Sequence, residues 1–194
     1  RENAANFSPS IWQSFLINSN VFPLWELFPS QMTAISSGIL SDANEVYSLQ
    51  MPTSAGKTSL CEILIYHEVK GRRKEVLFLV PFRALAAEIK EGVSKRLESA
   101  GVTVLASHGG NIPTRSESAT AESADVLIIT PEKFMALAQN TPNLGNSFDT
   151  IICDEGHLID DSSRGLQYEL LLTKLKSAED RPRKMVFISA ILPN

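Results

Sequence analysis

The chain has 194 residues, 43% hydrophobic and 21% charged, which is ordinary for a soluble globular protein and enough for one α/β domain with a full core. No apolar run approaches the ~20 residues that span a bilayer, so no membrane partner is expected. The net charge of −4 argues against nucleic acid being held by the bulk of the surface, and any such binding must come from a local face.

In chain order, residues 1–43 form an expected helical lead-in. "IWQSFLIN" and "VFPLWELFPSQMTAISSGIL" suggest helices broken at Pro23 and Pro29. Trp12, Phe15, Phe22 and Trp25 are expected to pack these helices onto the body of the domain, taken as residues 44–194. The absence of an apolar signal segment after Arg1 suggests a mature or excised piece. Six apolar runs follow: "EVYSLQ" (45–50), "VLFLV" (76–80), "VTVLAS" (102–107), "DVLIIT" (125–130), "TIICDE" (150–155) and "MVFISA" (185–190). Most are continuously hydrophobic, as parallel strands covered on both faces are. Helical stretches lie between them, including "KTSLCEILIYHEV" and "RALAAEIKEGVSKRLESAG", the latter stopped at Gly101. This alternation predicts a mostly parallel central sheet with helices on both faces. "KGRRKE" (70–75) reads as a solvated helix exit, and "NIPTRSESATAES" (111–123) as a surface loop. Cys61 and Cys153 sit in apolar runs and are expected to be buried free thiols of a reducing, intracellular compartment.

Two stretches carry chemistry. "MPTSAGKT" (51–58) follows a strand and opens a helix, the setting in which backbone N–H groups cradle phosphates. Thr53, Ser54, Ala55 and Gly56 form the cradle. Lys57 is placed to reach the terminal phosphates, and Thr58 to ligate Mg²⁺. The usual pattern starts with Gly, and Met51 stands there instead. Its side chain is expected to end the strand and point into the core. "TIICDEGH" (150–157) then brings two carboxylates to a strand's C-terminal edge, where open α/β sheets bind ligands. Asp154 is the expected Mg²⁺ ligand, and Glu155 the group that orients and deprotonates an attacking water.

With these stretches in hand, the chain from Phe28 to Asn194 resembles superfamily 2 nucleic-acid helicases of the DExH type, nearest the Ski-two-like branch. "FPSQ" (28–31) looks like the glutamine motif, "PFRALAAE" (81–88) is similar to motif Ia, "HGG" (108–110) to the glycine motif and "TPEK" (130–133) to motif Ib. "DEGH" resembles motif II and "SAILPN" (189–194) motif III, and all stand in family order. "DDSSRGLQYE" (160–169) is similar to that branch's Arg-Gly extension.

The resemblance implies a RecA-like P-loop domain that binds ATP and Mg²⁺ and couples hydrolysis to movement on single-stranded DNA or RNA, with 3′-to-5′ polarity. It makes Gln31 the reader of adenine, although by position alone Gln31 is a helix-start residue after Pro29. Phe28 could stack beside the base. It assigns Pro81, Arg83, Gly109, Gly110, Thr130 and Lys133 to one strand of nucleic acid, whereas residue type alone favours solvated helix starts for Arg83 and Lys133. His157 and Ser189 take a coupling role. Two positions depart from the branch: Ile191 stands where Thr is usual and cannot donate a hydrogen bond, and Gly156 replaces a larger apolar residue. A second RecA-like domain, carrying an arginine finger worth about 10³–10⁵ in rate, is expected in cis beyond Asn194. These 194 residues alone are therefore expected to bind ATP weakly and hydrolyse it barely. An alternative stays open: an ATP-gated binding or remodelling protein that separates no duplex.

Overall fold

The computed structural model describes residues 9–17, 24, 26–41, 43, 46–52, 55–107, 120–121, 123–141, 143–155, 165–177 and 183–190. Six strands form one sheet in which every pairing is parallel: β1 (Val46–Gln50), β2 (Val76–Leu79), β3 (Val104–Ser107), β4 (Val126–Ile129), β5 (Thr150–Asp154) and β6 (Lys184–Ser189). Their order is β1-β6-β5-β2-β4-β3. Each predicted apolar run became a strand, and none pairs antiparallel.

The winding explains the hydrophobic pattern. From β1 the chain steps outward through β2 to β3, laying α3 (Lys57–Tyr66) and α4 (Arg83–Ser99) on one face. It returns through β4 and β5 to β6, laying α5 (Pro131–Asn140) and α6 (Gly165–Ser177) on the other. Val76 and Phe78 of β2 accordingly join the core under α3 and α4, while Leu77 and Leu79 join the core under α5 and α6. A strand clamped between two such layers needs apolar residues at every position. The edge strand β1 is covered less, and its residues alternate between exposed and half-buried.

Helix ends follow local chemistry. Gly101 takes φ +74°, and the two bonds Gly101 N–H to Glu98 O (2.9 Å) and Val102 N–H to Leu97 O (3.0 Å) close α4 in a Schellman turn. Thr130 caps α5, its hydroxyl accepting from Lys133 N–H. The lead-in contributes α1 (Pro9–Leu16) and α2 (Pro29–Ser36). Phe15 of α1 is buried and stacks on Tyr66 at 4.0 Å, with Trp12 edge-on to the same ring, as expected for this pair. Phe22 and Trp25 lie outside the described residues.

At the exit of α3, Lys70 and Arg73 are exposed as expected of "KGRRKE", but the turn just before them is interior. A π-helical turn, His67–Gly71, carries Glu68 into the interior. Glu68 accepts from Lys184 Nζ (2.7 Å), Arg72 Nη1 (2.9 Å) and Thr150 Oγ1 (3.0 Å). Lys184 Nζ also donates to the carbonyls of Ile39 (3.0 Å) and Ser41 (2.8 Å), tying the lead-in to the sheet's N-terminal edge. Burial alone would raise the Glu68 carboxyl, but hydrogen bonds from His67 and Lys184 and the Lys184 and Arg72 charges hold it down at about 2. Burial also lowers the Lys184 ammonium, against the pull of Glu68. With three acceptors on one nitrogen, one of them a carboxylate, the pair stands as charged. Lys70 likewise turns back, donating to Gly101 O at 2.6 Å.

Candidate functional site

The site lies at the C-terminal edge of β1, β6 and β5. Met51 closes β1: its N–H donates to Ser189 O at 3.0 Å, and its side chain is 2% exposed, in the core as expected. Thr53 and Ser54 lie outside the described residues. At Ala55 and Gly56 the loop turns into α3. Gly56 has φ +81°, a left-handed conformation that disfavours side chains. A Cβ there would also stand 2.3 Å from Gln31 Nε2 and 2.9 Å from Phe28 Cδ2. Glycine is therefore required twice, by its backbone and by its neighbours.

Those neighbours are the glutamine motif. Gln31, 1% exposed, donates from Nε2 to Gly56 O (2.8 Å) and accepts at Oε1 from Phe28 N–H (2.9 Å), while Ser30 Oγ donates to Ala55 O (3.2 Å). The amide expected to read adenine is thus bonded to the phosphate loop and to its own helix start. The signal for the second bond was in the sequence, since a Gln three residues after a helix N-cap bonds back to the cap's N–H. The bond to Gly56 joins segments that sequence spacing does not relate. The Phe28 ring is 55% exposed beside the loop.

Lys57, the first residue of α3, extends toward the end of β5. Its ammonium donates to Glu155 Oε1 at 3.2 Å and lies 3.8 Å from Asp154 Oδ1. Glu155 is held at φ +50°, which is uncommon for a residue with a side chain. Thr58, the next residue of α3, is exposed. A cavity of about 320 Å³ opens beside this group, lined by Lys57, Thr58, Asp154, Glu155, Glu88 and Cys61, among others. Sequence reasoning did not place Glu88 or Cys61 there. Burial, with the Asp154 charge, pushes the Cys61 thiol far up, and burial raises Cys153 to about 12, so both stay neutral.

Ser189 ends β6, between β1 and β5 in the sheet, beside both the phosphate loop and the carboxylates. His157, Gly156 and Ile191 fall outside the described residues, as do Gly109 and Gly110. Among the expected nucleic-acid contacts, Pro81 is half-buried after β2 and Arg83 is exposed at the start of α4. Thr130 and Lys133 are different: both are buried, and the Lys133 N–H is taken up by the Thr130 cap. Lys133 is therefore not the solvated helix start its residue type suggests, and its backbone donor already serves α5.

A parallel, doubly wound sheet with a phosphate-loop helix facing paired carboxylates defines a RecA-like nucleotide-binding domain. The chain belongs to the DEAD/DEAH box helicase family, whose profile matches residues 28–194. It is 31% identical over 174 residues to Hachiman protein HamB of Bacillus cereus, covering 89% of this chain and 15% of that protein. It is 34% identical over 160 residues to the ATP-dependent DNA helicase Hel308 of Methanocaldococcus jannaschii, covering 80% of this chain and 13% of that one. Among solved structures, the helicase Lhr of Mycobacterium smegmatis, bound to single-stranded DNA and AMP-PNP, matches 86% of this chain and 23% of its own with a TM-score of 0.65 at 27% identity. The yeast DEAD-box splicing factor Prp28 shares the fold, with a TM-score of 0.75 over 97% of this chain and 46% of its own at 20% identity. The helicase resemblance and the RecA-like fold read from the motifs are both borne out. The chain spans only a small part of these curated relatives' length.

Proposed function

We propose that this domain binds Mg-ATP and, within its longer protein, couples hydrolysis to movement along single-stranded DNA. The observation that carries this reading is the Lys57 ammonium lying between Glu155 and Asp154 at the sheet edge. Its carboxylate contacts are long enough to be exchanged for phosphate oxygens. The donor set fits a hard cation: the Thr58 hydroxyl and the Asp154 carboxylate offer oxygen only, as magnesium prefers. Bound there, magnesium would neutralise charge on the terminal phosphates.

The chain's own residues do the rest. Lys57 orients the γ-phosphate and offsets its charge. Glu155 orients an attacking water and takes its proton on the carboxylate. Gln31 holds the loop through Gly56 and has one remaining amide hydrogen to offer an adenine edge. Ser189, with His157, links the nucleotide to the strand-binding side. Arg83 grips a backbone phosphate, together with Pro81, Gly109 and Gly110. DNA is favoured over RNA because Hel308 is named a DNA helicase and Lhr was solved on single-stranded DNA. A second RecA-like domain in cis supplies the arginine finger.

The test is steady-state ATPase of the full-length protein, wild type and Lys57→Ala, with no polymer, single-stranded DNA or single-stranded RNA. Stimulation by DNA that disappears in Lys57→Ala is the expected result. If neither polymer stimulates the wild type, the motor reading fails and a nucleotide-gated binding protein takes its place.

A further inference from the structure

α3 and α4 meet at an unusually close point. A Cβ built on Gly92 of α4 would lie 3.3 Å from Thr58 Cγ2, the methyl on the first turn of α3. One turn further along both helices, Arg96 Nε donates to Glu62 Oε2 at 3.1 Å, with both side chains buried. The two contacts advance by four residues on each helix, so α3 and α4 run in the same direction and share one register. Nine residues of α4 precede Gly92, which is about 13 Å of helix at ~1.5 Å per residue. Within that stretch Leu85, Glu88 and Ile89 line the same cavity as Lys57, Asp154 and Glu155, and Arg83 stands exposed at its tip.

The geometry points to α4 as a strut keyed to the phosphate-loop helix, with Gly92 as a positioning residue that lets the Thr58 methyl seat against the α4 backbone. The inference rests on the ATP and single-strand reading given above. Thr58 is the residue expected to ligate the metal, and its methyl faces Gly92 on the helix whose tip is expected to hold the strand. Close-packed interiors pass on small shifts, and the Glu62–Arg96 contact keeps the two helices from sliding. A movement at Thr58 is thereby delivered to Arg83 as a movement of the whole helix, in parallel with any route through Ser189.

The test uses the full-length protein and measures its affinity for single-stranded DNA with and without a non-hydrolysable ATP analogue and Mg²⁺. Wild type, Gly92→Ala, Thr58→Ser and the double variant are compared. Gly92→Ala crowds the methyl, and Thr58→Ser removes that methyl while keeping the hydroxyl. The factor by which nucleotide changes DNA affinity should shrink at least about fivefold in Gly92→Ala, the low end of ordinary coupling between sites, and return in the double variant. A factor unchanged in Gly92→Ala, or unrestored in the double variant, overturns the strut. Should the single variant unfold, the double variant decides alone. A wild type whose DNA affinity ignores nucleotide overturns the motor reading, and the strut with it.

Discussion

At the C-terminal edge of the sheet, Lys57 stands 3.2 Å from Glu155 and 3.8 Å from Asp154, and the three side chains keep 12–25% of their surface exposed. At the N-terminal edge, Lys184 lies 2.7 Å from Glu68 and neither side chain is exposed at all. Both edges set a lysine against a carboxylate, yet only one can exchange partners. Glu68 accepts from Lys184, Arg72 and Thr150 at 2.7, 2.9 and 3.0 Å, and Lys184 is filled by two further carbonyls. Separating that pair would strand charge in the interior. At the Lys57 edge, water or phosphate can replace a carboxylate at little cost. The same chemical pair fixes the fold at one end of the strands and is left free to react at the other.

The comparison predicts which changes cost turnover and which cost stability. The largest effect expected is on rate: Glu155→Gln should lower DNA-stimulated ATPase of the full-length protein by about 10²–10⁴, the usual contribution of a general base. The melting temperature should hold. Next, Glu68→Ala leaves Lys184 buried, and Arg72 half-buried, without their carboxylate and should destabilise the fold by about 3–5 kcal/mol in urea unfolding. If Glu155→Gln instead lowers stability by as much, the contrast between the edges is broken.

A somewhat smaller effect is expected from acid. Glu68 has its carboxyl held at about 2 against the usual 4.5. Below about 4.5 the unfolded chain takes up a proton that folded Glu68 refuses, so stability is lost as pH falls from there toward about 2. The loss from this group is roughly 3 kcal/mol. It should appear as the difference between wild type and Glu68→Gln in urea midpoints across that range. The smallest effect sharpens the comparison. Thr130 sits at the C-terminal edge but is buried as the cap of α5, so Thr130→Ala should cost about 1 kcal/mol of stability. Weaker DNA binding at full stability would place Thr130 with the exchangeable groups instead.

The strands were legible because burial on both faces makes them uninterrupted apolar runs, and each observed strand falls within a residue or two of the predicted one. The fate of Met51 was legible too, since a residue ending a core strand has little choice but the interior. The Glu68 hub was not. Its partners Arg72 and Lys184 sit in "KGRRKE" and in "RPRK" (181–184), stretches that look like solvated charge, and a π turn has no clear sequence signature. The bond from Gln31 to Gly56 and the burial of Lys133 were hidden for a similar reason: each depends on which segments meet, and residue type does not report that.

The strand order has a consequence for synthesis. Among the described residues β1 pairs only with β6, through Val46–Met185 to Gln50–Ser189. The phosphate loop is complete in sequence by Thr58, but its strand gains this sheet partner only when β6 has left the ribosome. At ~5–20 residues per second that wait is on the order of ten seconds. The lead-in waits as well, because the ammonium that holds the carbonyls of Ile39 and Ser41 belongs to Lys184. Nucleotide therefore finds its loop anchored only once β6 has emerged, too late to guide the assembly of β2 through β5.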